Sequence, residues 1–286
     1  MSSELQPYDQ TADFDVHVIE KTYRSGPDGD WPVRIYQPQG DGPFPALLDV
    51  HGGAWSNGTY LDDELIDRAL AATGIVVAAI EFRQAPQHTY PAQVQDVNYG
   101  TRWLKTHAAE FNADPATVGG FGGSSGGHSI MLSALRPGDP RFAATAVPGG
   151  EDQDATFSFV ITGWPVLDSY ARYLYAQEAG EERLVTNSVN YFGTEDAMKE
   201  GNPQMSLDRG EHTSLPPVLI LQGTSDSNVP LSISERFAET YAKLGGSAQR
   251  ELFEGMPHAF AREPGPETDR AIGLMKQFLA EQLNGK

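Results

Sequence analysis

Two kinds of segment alternate along this chain. Short runs dominated by Val, Ile, Leu and Phe, such as residues 45–50 and 216–222, carry no polar face. Runs of that length bounded by turn residues read as strands buried on both sides. Strands are expected at residues 16–22, 33–37, 45–50, 75–81, 118–121, 157–162, 218–222 and 251–253. Longer segments with apolar positions three and four apart predict helices at 61–72, 92–109, 125–135, 231–244 and 267–283. Strand followed by helix, repeated, is the pattern of an α/β protein with a mostly parallel sheet covered on both faces. The first two strands instead flank Ser25-Gly26-Pro27-Asp28-Gly29, which predicts an antiparallel hairpin at the sheet edge. Between 168 and 215 the strand signal disappears and the chain turns aromatic, charged and irregular. An insertion of that kind is expected as a small cap over the site. The 286 residues are then read as one domain, 1–286, with the cap at about 168–215.

The stretch Gly122-Gly123-Ser124-Ser125-Gly126-Gly127 sits where an expected strand passes into an expected helix. It holds the pattern Gly-x-Ser-x-Gly, in which the serine stands on a strained turn and the glycines leave room for the neighbouring strand and helix. A serine there lies at a helix N-terminus, where positive partial charge favours a developing anion. Two frames fit, centred on Ser124 or on Ser125. The Ser124 frame is preferred because it leaves the N–H of Ser125 directly after the nucleophile, the position that contributes to an oxyanion hole. A glycine-rich loop with incidental serines is the plainer alternative.

A serine hydroxyl needs a base to take its proton and a carboxylate to orient that base. In this topology the order along the chain is serine, acid, histidine. Apart from His128, which belongs to the helix that the elbow itself opens, only His212 and His258 follow Ser124. Asp226 stands just past the expected strand 218–222, at the edge where open α/β sheets build their sites. His258 lies in the loop after the last expected strand, so both emerge at one edge. His212 precedes Asp226, and the competing acids Glu254 and Asp168 lack that placement. Taken singly, Asp226 reads as a turn residue and His258 as a surface histidine; their order after the elbow makes them a catalytic pair. Strand 45–50 ends in His51-Gly52-Gly53-Ala54-Trp55, a tight turn whose small residues let a substrate carbonyl approach backbone N–H donors. Trp55, Trp164 and Phe260 are expected to line the substrate cavity, with Tyr170, Tyr173 and Tyr175 as further aromatic candidates.

With these residues together the chain resembles the hormone-sensitive-lipase-like branch of the α/β-hydrolase serine esterases, from about Trp31 to the C-terminus. The matching segments are HGGAW from His51, EFRQAPQHTYPAQVQD from Glu81, GGSSGGH around Ser124, GTSDSNVP around Asp226 and MPHAF around His258. HGGAW and GTSDSNVP are also similar to segments of arylformamidases and feruloyl-esterase-like enzymes. The resemblance implies the α/β-hydrolase fold with an eight-stranded sheet. It also implies Ser124 as nucleophile, His258 as general base and then acid, and Asp226 as orienting carboxylate. The N–H groups of Gly53, Ala54 and Ser125 would form the oxyanion hole. Hydrolysis of small to medium carboxylic esters through an acyl-enzyme is the expected activity. An activated amide is the alternative substrate, and a catalytically silent binding protein is a third reading that predicts a damaged triad.

Composition narrows this further. With 39 acidic and 20 basic residues the formal charge is −19, which argues against nucleic acid, since phosphate binding needs clustered Lys and Arg. The same charge repels anionic substrates at long range, so neutral esters are expected. No cysteine is present, which excludes disulfides and thiolate chemistry. The seven histidines are scattered, so neither a metal nor a cofactor is expected. No membrane-length apolar run and no leader-like N-terminus is read, giving a cytoplasmic expectation. An exposed sheet edge can support a homodimer.

Overall fold

The computed structural model describes residues 7–27 and 29–285. Eight strands form one sheet: β1 (Val16–Gly26), β2 (Gly29–Pro38), β3 (Phe44–Val50), β4 (Val76–Ile80), β5 (Ala113–Gly123), β6 (Val160–Gly163), β7 (Val218–Gly223) and β8 (Ala248–Phe253). Their spatial order is β1-β2-β4-β3-β5-β6-β7-β8. Every expected strand is present. β1 pairs antiparallel with β2, and β2 with β4, while β3 to β8 and β4 run parallel. The expected edge hairpin forms, with Gly26 paired to Gly29 across its turn; Asp28 of that turn and residues 1–6 lie outside the described residues.

The sheet is apolar on both faces because its central strands are apolar at consecutive positions. Leu47 and Leu48 of β3 are both buried yet belong to opposite layers. On one face pack α2 (Ala92–His107), α3 (Ser125–Leu135) and α8 (Leu231–Lys243), through Val97, Trp103, Ile130, Leu135 and Phe237. On the other pack α1 (Glu64–Ala71) and α9 (Pro266–Asn284), through Ile66, Leu70, Ile272, Met275 and Phe278. Each such side chain contributes about 1.5–3 kcal/mol when fully buried.

The segment 168–215 departs from its reading as irregular chain. It holds α4 (Ser169–Ala179), α5 (Glu182–Phe192), α6 (Glu195–Glu200) and α7 (Pro203–Asp208). Three of these begin on side-chain caps. Asp168 accepts from Ala171 N, Thr194 from Ala197 N, and Asn202 from Met205 N; each bond satisfies an N–H that the first turn leaves without an acceptor. Tyr173, Tyr191, Phe192, Met198 and Leu207 of this segment are continuous with the core under α2, α3 and α8.

Candidate active site

All the parallel strands point their C-terminal ends to one edge, and the loops leaving β3, β5, β7 and β8 meet there. β5 runs directly into α3 through Ser124, whose backbone is left-handed, φ 52° and ψ −115°. Such a conformation is costly for a non-glycine residue and persists where its surroundings fix it. Ser124 N donates to Gly163 O at 2.8 Å, and Ser124 O accepts from His128 N at 3.2 Å and Val166 N at 3.1 Å. The glycines two positions either way are packed too closely for a side chain. A Cβ on Gly126 would lie 1.9 Å from Val50 O, and one on Gly122 would lie 2.7 Å from the Gly126 backbone. Ser125 is the first helical residue; its Oγ accepts from Trp55 N at 3.1 Å. The elbow is centred on Ser124.

His258 Nε2 lies 2.9 Å from Ser124 Oγ, and His258 Nδ1 lies 2.9 Å from Asp226 Oδ2. Asp226 Oδ1 accepts from Asn228 N and Val229 N at 2.8 and 2.9 Å, and its side chain is shielded from solvent. Those two bonds fix the carboxylate that faces the ring. The loops after β7 and β8 are tied together as well: Ser225 N donates to Met256 O, and Gly255 N to Thr224 Oγ1. The rival groups are engaged elsewhere. Asp168 caps α4 and bonds Asn202 and Arg236, Glu254 is exposed, and His212 makes no bond to Ser124 among the described residues.

The loop after β3 curls back over the elbow. Gly53 has φ 125° and accepts from both Ser56 N and Asn57 N; a Cβ there would sit 1.7 Å from Asn57 O. Ala54 and Trp55 are also left-handed, at φ 51° and 61°. The N–H groups of Gly53 and Ala54 have no backbone acceptor among the described residues. His51 steadies the loop from behind. Its Nδ1 donates to Gly52 O at 2.7 Å, its Nε2 lies 3.3 Å from Glu81 Oε1, and its ring stacks on Phe82. Burial raises the Glu81 carboxyl, but its contacts with His51 and Gln84 outweigh that and hold it below its ordinary value.

Residues 33–241 match the profile of the BD-FAE family. The chain belongs to the BD-FAE family. Its fold is that of the α/β-hydrolases. Among curated relatives, the probable carboxylic ester hydrolase LipM of Mycobacterium tuberculosis is 29% identical over 84% of this chain and 55% of its own length. The probable isoprenylcysteine alpha-carbonyl methylesterase ICMEL1 of Arabidopsis thaliana is 28% identical over 82% of this chain and 51% of its own. This BD-FAE-family chain therefore spans about half the length of the curated relatives it matches. Esterase 2 of Thermogutta terrifontis, solved with propionate bound, is similar over 96% of both chains, with TM-score 0.75 and 26% identity. The same esterase, solved phosphonylated by sarin, is similar over 94% of both, with TM-score 0.75 and 25% identity.

In this BD-FAE-family chain a cavity of about 270 Å³ opens beside Ser124. It is lined by Gly53, Ala54, Asn57, Trp164, Leu184, Asn228, His258 and Ala259, and by three arginines, Arg172, Arg183 and Arg262. Trp164 is in the cavity wall, edge-on to His258 with 6.4 Å between ring centroids. Trp55 and Phe260 do not line this cavity. The Trp55 ring is buried against Tyr191 and donates from Nε1 to His128 Nδ1 at 3.1 Å. Phe260 packs on Phe253 and Trp164 behind the wall. The three tyrosines of α4 are also outside it: Tyr170 and Tyr175 bond Glu195 and Ser227 O, and Tyr173 is buried. Sequence reasoning placed no arginine here. The available signal was Arg172, a charged residue on the buried stripe Ser169, Arg172, Tyr173, Ala176 of α4.

Among the described residues no group of His, Asp or Glu is arranged to hold a metal ion, and no helix is long and apolar enough to cross a membrane.

Proposed function

We propose that this protein is a serine carboxylesterase for small carboxylic esters, acting as one domain in which α4 to α7 form the cap. The reading rests above all on the unbroken hydrogen-bonded chain Asp226–His258–Ser124 at the strained elbow. Ser124 Oγ attacks the ester carbonyl while His258 Nε2 accepts its proton. Asp226 holds the ring in the tautomer with Nδ1 protonated and stabilises the imidazolium that forms. The N–H groups of Gly53, Ala54 and Ser125 receive the tetrahedral oxyanion, each such donor contributing about 3 kcal/mol to the transition state. His258 then protonates the leaving alcohol, and water repeats the sequence to release the acid. The ester-hydrolase and esterase names of the relatives support this, as does the covalent phosphonylation of the Thermogutta esterase. A cavity of about 270 Å³ favours short acyl groups, as the propionate held by that esterase does. Hydrolysis of p-nitrophenyl esters of increasing chain length tests the proposal. The rate is expected to be highest at acyl groups of about two to four carbons and to fall to background in Ser124→Ala. Undiminished turnover by the pure variant overturns it.

A further inference from the structure

We propose that Arg172 and Arg183 form an anion subsite beside Ser124, so that the preferred ester carries a carboxylate on its acyl or its alcohol arm. This deepens the esterase reading and rests on it. Both arginines line the cavity that holds Ser124 and His258. Arg172 is buried, with Nη1 donating to Leu184 O at 3.1 Å and to Ser188 Oγ at 3.2 Å; its Nε is buried with no hydrogen-bond partner among the described residues. Arg183 is exposed at the rim. Neither forms an ion pair with a carboxylate among the described residues, and no carboxylate lines the cavity. The third arginine differs. Arg262 is neutralised by Asp63, at 2.8 and 3.2 Å, and by Asp62 at 3.5 Å.

A buried guanidinium without a paired carboxylate is expensive, and a second one nearby adds to that cost. Burial first, and then the charge of Arg183, hold the Arg172 guanidinium below its ordinary value, at about 10, against a smaller opposing pull from the Asp226 carboxylate. It therefore remains cationic at neutral pH. The chain has 39 acidic residues against 20 basic ones, yet the carboxylate whose charge acts on Arg172 is Asp226, which is already bonded to His258 Nδ1, Asn228 N and Val229 N. An anionic group on the bound ester supplies the missing charge and a hydrogen-bond acceptor for the planar donors. The local charge of the cavity thus replaces the neutral-ester expectation drawn from the net charge.

Matched esters at neutral pH test this. On the acyl side, p-nitrophenyl hemisuccinate is compared with p-nitrophenyl butyrate; on the alcohol side, the butyrate ester of glycolate is compared with ethyl butyrate. Wild type is expected to favour the carboxylated member of at least one pair in kcat/KM, and added salt should shrink that preference. In Arg183→Gln, an exposed substitution that leaves the core alone, the charged-to-neutral ratio is expected to fall roughly ten-fold, the loss of one charge-assisted bond. Arg172→Gln should lower the same ratio, whereas a purely structural arginine would scale both members together. Preference for the neutral esters in both pairs, with ratios unmoved by either substitution, overturns the subsite and leaves the esterase reading standing. If wild type hydrolyses none of the four esters, the esterase reading fails. Calorimetry with succinate then decides the subsite alone, supported by Arg183-dependent binding and overturned by none.

Discussion

The Trp55 and Tyr191 rings lie parallel, 5.2 Å apart between centroids and 2° between planes. Trp55 belongs to the loop carrying Gly53 and Ala54, and Tyr191 to α5, so the proposed oxyanion hole is packed on the proposed cap. Arg172 completes the contact from α4, its guanidinium 5.4 Å from the Trp55 ring. Tyr191→Ala should therefore do two things. It should destabilise the fold by about 3 kcal/mol, in the range of large aromatic deletions, and lower kcat as the loop loses its support. Urea unfolding and steady-state kinetics on the same preparation measure both.

His128 joins this cluster, with Nε2 donating to Gly201 O at 2.7 Å and Nδ1 accepting from Trp55 Nε1. Burial, outweighing the Gly201 bond, lowers it from 6.5 to about 4. Between those values the unfolded chain binds the proton and the folded chain does not. This contribution is complete above about pH 6.5 and lost as pH falls toward about 4, on the order of 3 kcal/mol in all. His128→Gln should flatten that part of the profile in thermal unfolding followed from pH 7 down to pH 4.

On the opposite face of the sheet, Asp49 of β3 and Asp67 of α1 are buried, and among the described residues no side chain hydrogen-bonds the carboxylate oxygens of either. Desolvation raises both well above the ordinary value. The Asp63 charge adds to it at Asp49, and the Asp49 charge adds to it at Asp67. A carboxyl raised in the folded state holds its proton where the unfolded chain has released it, so stability declines as pH rises above about 4. Asp49→Asn is accordingly expected to be more stable than wild type at pH 7, with the gain shrinking toward pH 4. A loss of stability at pH 7 would contradict the assignment.

Two alanine substitutions at the elbow separate the serine frames. Gly126→Ala places a Cβ 1.9 Å from Val50 O, which only a shift of β3 or α3 can relieve; a Cβ on Gly123 meets nothing closer than Trp164 Nε1 at 3.3 Å. Gly126→Ala should yield inactive or insoluble protein, and Gly123→Ala a folded enzyme with reduced activity. Soluble yield, circular dichroism and turnover report the difference.

The strands, the core helices and the meeting of Ser124, His258 and Asp226 were legible because each is carried by local pattern: an apolar run, a turn signal, or a glycine spacing with one steric solution. The helices of 168–208 were not assigned. Their caps Asp168, Thr194 and Asn202 and the glycines Gly180, Gly193 and Gly201 stood in the sequence, but the helices are short and mix polar with aromatic positions. Trp55 was expected in the cavity wall. Its hydrophobic area and its N–H both found partners inside, Tyr191 and His128, which no spacing along the chain discloses. The arginines of the cavity were missed for the same reason. Arg172 and Arg183 come to line the cavity beside Ser124 only through the fold of α4 and α5.

The role of Ser124 is tested most directly by intact-protein mass spectrometry and peptide mapping after treatment with a phosphonofluoridate. A single adduct on Ser124, absent from Ser124→Ala and accompanied by complete loss of esterase activity, is the predicted result. An adduct on Ser125, or full activity in protein phosphonylated at Ser124, would contradict the account.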